Sequence, residues 1–326
     1  MSHCAILGAH PDVELVGMCD PDSLLQSAFK KLTKIACYTD YKKMINETKP
    51  DAVYVVTPTK LHEEMVVYAL EHGCHVFCEK PFSLTEKDGQ IMVEAAKKYG
   101  KVNQVGYHNR FIGTFVEAKR LMDAGVIGKP FHFMGEAYGP VVLKRKGGTW
   151  RSDKKAGGGC VMDYAAHVLN LINYICSSPI VKVAGTSMPS IFSAEVDDAV
   201  YSTLTLENGL KGQLSVCWSD DTVRKMTTSL KIEGDGGKIF VDATTLKVYV
   251  KEDNPKEGLV KGWNEKHIPE LAPIVFFNLR GEEYSEETDK FIKCIKENKM
   301  SDRNSFEEAY KTDQIINALM EDAKNG

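Results

Sequence analysis

The sequence predicts an α/β protein in two parts. A parallel, doubly wound sheet lacking its first strand is followed by a C-terminal α/β domain on a large, mostly antiparallel open sheet. Three observations carry that expectation. As far as residue 108, short apolar strands alternate with amphipathic helices, the pattern of a parallel sheet covered by its crossover helices. After Arg110 the pattern becomes period-two strands with few helices. Residues 2–10 read as the tail of a helix with no strand before it. The expected domains are 1–108 and 109–326.

Taken in order, VELVGMC (13–19) is a short buried strand that ends in Asp20. SLLQSAFKKL is a helix, Tyr38–Asp40 a strand, and YKKMINET a further helix. DAVYVVTP (51–58) is a β-branched run suited to burial on both faces. HEEMVVYALEHG (62–73) has helical spacing and stops at Gly73. HVFCEKP (75–81) is the next strand, ended by Pro81. A helix from Thr85 to Gly100 and the strand VNQVGY (102–107) complete a Rossmann-like set.

The second part holds two helical stretches, FVEAKRLMDAG and MDYAAHVLNLINYIC, among seven alternating strands from PFHFMGEAYG to LKVYVKE. Asn208-Gly209 and Gly234–Gly237 read as hairpin turns. Two helices close the chain, with Ser285 and Ser305 as expected caps.

Bulk properties exclude several functions. A net charge of −4 over 326 residues gives no long-range attraction to nucleic acid or anionic membranes. No apolar run is long enough to span a bilayer. Nine scattered cysteines without a C-x-x-C pair match thiol usage in a reducing compartment, so a cytoplasmic protein is expected.

Four stretches carry chemistry-bearing residues. Asp20 ends a strand in a βαβ context, where an acid hydrogen-bonds the adenine ribose and repels a 2′-phosphate; D-P-D would equally favour a turn. The context tips the reading to the ribose, and to NAD over NADP. Thr57-Pro58 follow the strand DAVYVV at the carboxyl end, where such sheets bind ligands. Glu79-Lys80-Pro81 places an ammonium at the next strand end, able to stabilise developing negative charge with Glu79 orienting it; the bland alternative is an exposed ion pair. Gly157-Gly158-Gly159 lead into a helix with Asp163 and His167 one turn apart. The glycines would let the backbone approach a ligand, and the imidazole is the obvious base for a hydroxyl proton. A core histidine bonded to its helix neighbour is the alternative, and no second cluster argues for a metal. Arg110 and Trp150-Arg151 would line the same cleft or serve as structural donors and a half-buried aromatic. His62, His72 and His75 flank a helix and read as solvated or structural.

Together VELVGMCDPD, TPTKLHEEMVVYALEHGCHVFCEKPFSLT, VGYHNRF and GGGCVMDYAAHVLN resemble the Gfo/Idh/MocA oxidoreductase family over most of residues 1–175. The resemblance implies a Rossmann domain carrying NAD(P), with NADP less expected, and a C-terminal sheet that packs on a partner subunit in a homodimer or homotetramer. It implies hydride transfer between nicotinamide and a carbinol carbon of a sugar, inositol or sugar nucleotide. Lys80, Asp163 and His167 would be catalytic, and no metal is implied. Asp20, Thr57, Pro58, His62, Glu79, Lys80, Asn109, Trp150 and Arg151 are the positions assigned to the cofactor. Lys144, Arg145, Arg110 and Arg151 hint at a diphosphate-bearing substrate.

Such a family member would begin with a strand and G-x-G-x-x-G before the helix, and Gly8 stands in the wrong place to be that loop. The absent strand is central in the order 3-2-1-4-5-6, and each buried unpaired backbone group costs about 1–3 kcal/mol. The expectation is an internal start with residues missing upstream; the alternative is a natural chain with altered or lost nucleotide binding. Two other functions stay open. One is an enzyme of this fold using bound NAD for glycoside cleavage or epimerisation, and the other a non-catalytic dimeric binding protein.

Overall fold

The computed structural model describes residues 2–145, 149–279 and 281–325, so Gly147 and Gly148 of the GGTWRSD stretch lie outside the described residues. The chain opens with helix α1 (Ser2–Ala9), then alternates strand β1 (Met18–Cys19), α2 (Ser23–Thr33), β2 (Cys37–Tyr38) and α3 (Tyr41–Thr48). It continues through β3 (Ala52–Val55), α4 (His62–Glu71), β4 (His75–Cys78), α5 (Glu86–Tyr99) and β5 (Asn103–Val105). Asp22 and Asp40 cap α2 and α3 by accepting amide hydrogen bonds from the first turn of each helix.

The second half begins with α6 (Gly113–Asp123) and β6 (Pro130–Tyr138). A π turn (Val161–Ala165) then runs into α7 (Ala166–Ile175). Seven strands follow: β7 (Ile180–Ser187), β8 (Ala199–Leu206), β9 (Lys211–Cys217), β10 (Thr227–Gly234), β11 (Gly237–Asp242), β12 (Thr245–Val250) and β13 (Gly262–His267). Helices α8 (Ile268–Leu271), α9 (Glu283–Glu297) and α10 (Phe306–Asn325) end the chain.

These elements form two compact units: residues 1–83, 87–106 and 274–307, and residues 84–86, 107–273 and 308–326. The first unit holds two parallel sheets, β1-β2 and β3-β4-β5. In the order 3-2-1-4-5-6 they correspond to strands 3-2 and 4-5-6. The expected strand 13–19 is thus shorter than its apolar pattern. Among the described residues β2 is the one ladder partner of β1, so only Met18 and Cys19 pair.

Residues 274–307 return to this first unit, which corrects the expected assignment of 109–326 to a single domain. Phe291 and Cys294 of α9 are buried against Phe77 of β4 and Val102. Tyr54 of β3 stacks on Phe77 at 4.4 Å between ring centroids. Burying a side chain such as Phe291 contributes about 1.5–3 kcal/mol, and period-based reading along the chain cannot tell which sheet the helix will cover. Ser285 is likewise corrected. It lies inside α9 rather than at its cap, fully buried, with its hydroxyl donating to the Phe277 carbonyl.

The second unit is built on an eight-stranded sheet of order β13-β12-β11-β10-β6-β9-β8-β7. Every pairing is antiparallel except β6 with β9, which is parallel. The Asn208-Gly209 and Gly234–Gly237 turns join β8 to β9 and β10 to β11. Helix α7 packs on the inner face of this sheet. Gly135 of β6 makes that possible, because a Cβ there would meet Val168 at 2.6 Å and Ile172 at 2.9 Å. Helix α6 contacts α7, β11 and β12. Among the described residues no helix is long and apolar enough to cross a membrane.

Candidate active site

The glycine run that opens α7 is shaped by the protein itself. A Cβ on Gly158 would lie 2.3 Å from the Arg151 carbonyl oxygen. One on Gly159 would lie 2.5 Å from Asp197 Oδ1, and Gly159 holds a positive φ of 119° that disfavours other residues. The close approach expected toward a ligand is therefore made toward Trp150–Arg151 and Asp197. The loop delivers the chain into the π turn that carries Asp163, a wider turn of the kind found at functional sites.

Asp163 is 5% exposed and accepts a hydrogen bond from Arg151 Nε at 3.0 Å. Arg151 also lies over the Trp150 ring, 4.6 Å from its centroid. His167 is 2% exposed. Its ring sits edge-on to His108 at 5.1 Å and to Tyr107 at 6.0 Å between centroids. Asp163, His167 and Arg151 are thus gathered at the start of one helix, with His108 beside the imidazole. Trp150 is exposed and Asn109, one residue beyond His108, is buried.

Arg110 does not line a cleft. It is 2% exposed, donates from Nε to Asn170 Oδ1 at 2.7 Å and from a terminal nitrogen to Glu308 at 2.7 Å, and faces the Tyr174 ring. A guanidinium that deep needs several acceptors to offset its desolvation, which selects the structural alternative.

In the first unit the candidate residues sit at the carboxyl ends of the parallel strands. Asp20 follows β1 and accepts from the Asp22 amide at 2.8 Å, so it closes a turn there. Thr57 and Pro58 follow β3. Glu79 and Lys80 follow β4, and the Lys80-Pro81 peptide is cis. Glu79 accepts from the Lys80 amide at 3.0 Å and lies 2.7 Å from His3 Nε2 of α1. Gly106 leaves room for that carboxylate, since a Cβ there would meet it at 3.0 Å. Glu287 of α9 is 1% exposed, and burial, with the charge of Glu79 adding, holds its pKa well above the usual carboxylate range.

His62 is not solvated. It is 1% exposed, with one ring nitrogen 2.9 Å from the Thr57 carbonyl and the other 3.2 Å from that of Phe82, and burial pushes its pKa down. The ring ties the loop after β3 to the loop after Lys80, so any part in holding a cofactor passes through those loops. His75 accepts from the Val102 amide between strands, and His72 lies on the surface against Tyr68. Among the described residues no group of His, Cys, Asp or Glu forms a metal site.

Strand ends bearing Asp20, Thr57, Pro58, Glu79 and Lys80 suit a dinucleotide at its ribose and nicotinamide ends. Sequence reading missed His3, His108, Asp197 and Glu287. Only Asp197 had a local signal, as one of two adjacent acids before an apolar strand.

Residues 2–107 match the family described as "Oxidoreductase family, NAD-binding Rossmann fold", and residues 115–240 match the GFO/IDH/MocA C-terminal domain. The chain belongs to the Gfo/Idh/MocA family. Among curated Gfo/Idh/MocA-like relatives, D-glucoside 3-dehydrogenase of Escherichia coli (strain K12) is 30% identical over 229 residues, 64% of this chain and 63% of that protein. The scyllo-inositol 2-dehydrogenase (NAD(+)) of Bacillus subtilis (strain 168) is 32% identical over 146 residues, 45% of this chain and 41% of that protein. The chain thus spans less than two thirds of the length of either relative. A levoglucosan dehydrogenase, solved in complex with NADH and levoglucosan, superposes with a TM-score of 0.87 at 22% identity, covering 99% of this chain and 93% of that one. That likeness shows a shared fold.

Proposed function

We propose that this protein is an NAD-dependent dehydrogenase or reductase acting on a carbinol carbon of a sugar, inositol or sugar nucleotide. The observation that carries the reading is the family membership, and Asp163 and His167, gathered with Arg151 at the start of one helix, support it. Bound NAD would supply the hydride acceptor. Asp20, Thr57, Pro58, Glu79, Lys80, Asn109, Trp150 and Arg151 would hold it, with the buried His62 fixing the loops. His167 takes the hydroxyl proton as the alcohol is oxidised and returns it in the reverse direction. The Lys80 ammonium counters negative charge that develops on oxygen, and Asp163, steadied by Arg151, accepts from a neighbouring substrate hydroxyl. The names of the similar proteins support the substrate class.

The protein also works as a homo-oligomer in a reducing, cytoplasmic setting. The sheet face opposite α7 supports the first point, with Tyr201 and Trp263 exposed on it. The nine scattered cysteines, with no C-x-x-C pair, support the second. Light scattering on the purified chain tests the oligomer.

Calorimetric titration with NADH, followed by a screen of glucosides, inositols and sugar nucleotides for NAD reduction, tests the activity. Binding with steady release of NADH from one of these classes is the expected result. Binding without NADH release would favour transient oxidation, and no binding would remove the dehydrogenase reading from this chain.

A further inference from the structure

Asp197 and Asp198 are adjacent acids with opposite surroundings. Asp198 is fully buried and accepts from the amides of Ile191, Phe192 and Ser193, the Ser193 hydroxyl and Trp218 Nε1. Burial opposes its charge, but these donors outweigh that and hold its pKa below the usual range. Asp197 holds the start of the π turn instead. Its carbonyl accepts from the Cys160 amide at 3.0 Å, its Oδ2 from the Val161 amide at 2.7 Å, and its Oδ1 sits against Gly159. The Gly159 carbonyl in turn accepts from the Asp163 amide at 3.1 Å.

We propose that Asp197 is a positioning residue for Asp163 and His167: its ionised carboxylate clamps the first turn of their helix, and protonation loosens that clamp. An ionised acceptor on an amide at a helix start is the stronger form of the bond, and it also meets the positive end of the helix dipole. The ionisable groups that act on it are Asp198 and Cys160, both of which oppose its charge when ionised. Burial first, and Asp198 in addition, raise the pKa of Asp197 from 3.8 to about 6, against the pull of the Val161 and Cys160 amides.

The sign follows from linkage. A carboxyl whose folded pKa is raised adds stability below its unfolded value, and that stability is lost as pH rises to about 6. At neutral pH the charge of Asp197 therefore works against the fold while holding the site. Asp197→Asn should raise the melting temperature at neutral pH, leave it nearly unchanged at acid pH below both pKa values, and lower kcat about tenfold with little change in KM.

This activity result rests on the dehydrogenase reading; the decisive measurement does not. The Val161 amide resonance, followed by NMR against pH, should titrate with a midpoint near the value of about 6 in the wild-type chain and in His167→Gln, and lose that step in Asp197→Asn. A step absent from the wild type, or surviving in Asp197→Asn, overturns the proposal. A step that behaves as expected in a chain that never binds NADH removes the functional reading alone. Should Asp197→Asn fail to fold, the wild-type and His167→Gln titrations still decide.

Discussion

Residues 157–172, which include Asp163 and His167, form an unbroken buried run, whereas Glu79 and Lys80 are half-exposed at the end of a buried strand. The first region is fixed by volume: glycines at 135, 158 and 159 leave no room for a side chain. The second is fixed by the backbone, through strand pairing of β4 and the Lys80 amide held by Glu79. Close packing transmits any added methyl group into strain, while a strand-end side chain is replaced at little structural cost. The two regions should therefore answer mutation differently, one in stability and activity together, the other in activity alone.

The largest expected effect is at His167. Replacing it with Asn should lower kcat by about 10²–10⁴-fold while NADH still binds; unaltered turnover in steady-state kinetics would remove the imidazole from proton transfer. Lys80→Ala should follow, with kcat down about 10²-fold and an unchanged melting temperature. A marked loss of stability there would break the contrast between the two regions. Gly135→Val sharpens it from the other side. Overpacking against Val168 and Ile172 should cost about 1–3 kcal/mol in denaturant unfolding, and activity should fall with it. The smallest change is expected from Asp20→Ala, in which NADH affinity drops roughly tenfold or less and the preference for NAD over NADP narrows in paired titrations.

Much of the first region was legible because its signals are local. Three glycines followed by an acid and a histidine four residues apart mark a loop entering a helix in any context. What the glycines were for was not legible. They accommodate Arg151 and Asp197, and the distance to Asp197 along the chain hides that contact. Arg110 and His62 stayed open between alternatives for a related reason: both are polar, and the acceptors supplied by Asn170, Glu308, Thr57 and Phe82 are what let them be buried. The same holds for residues 274–307, whose helical pattern was plain but whose place beside β4 was not.

The sequence by itself determined the alternation of strands and helices, the switch to antiparallel strands after Arg110, and the family to which those motifs belong. These follow from periodicity and from short motifs, which depend only on neighbours in the chain. The tertiary structure decided which acids are charged, which histidines are buried, and which glycines are required by contact. Those outcomes depend on desolvation and on atoms brought together from distant parts of the chain, so no local pattern encodes them.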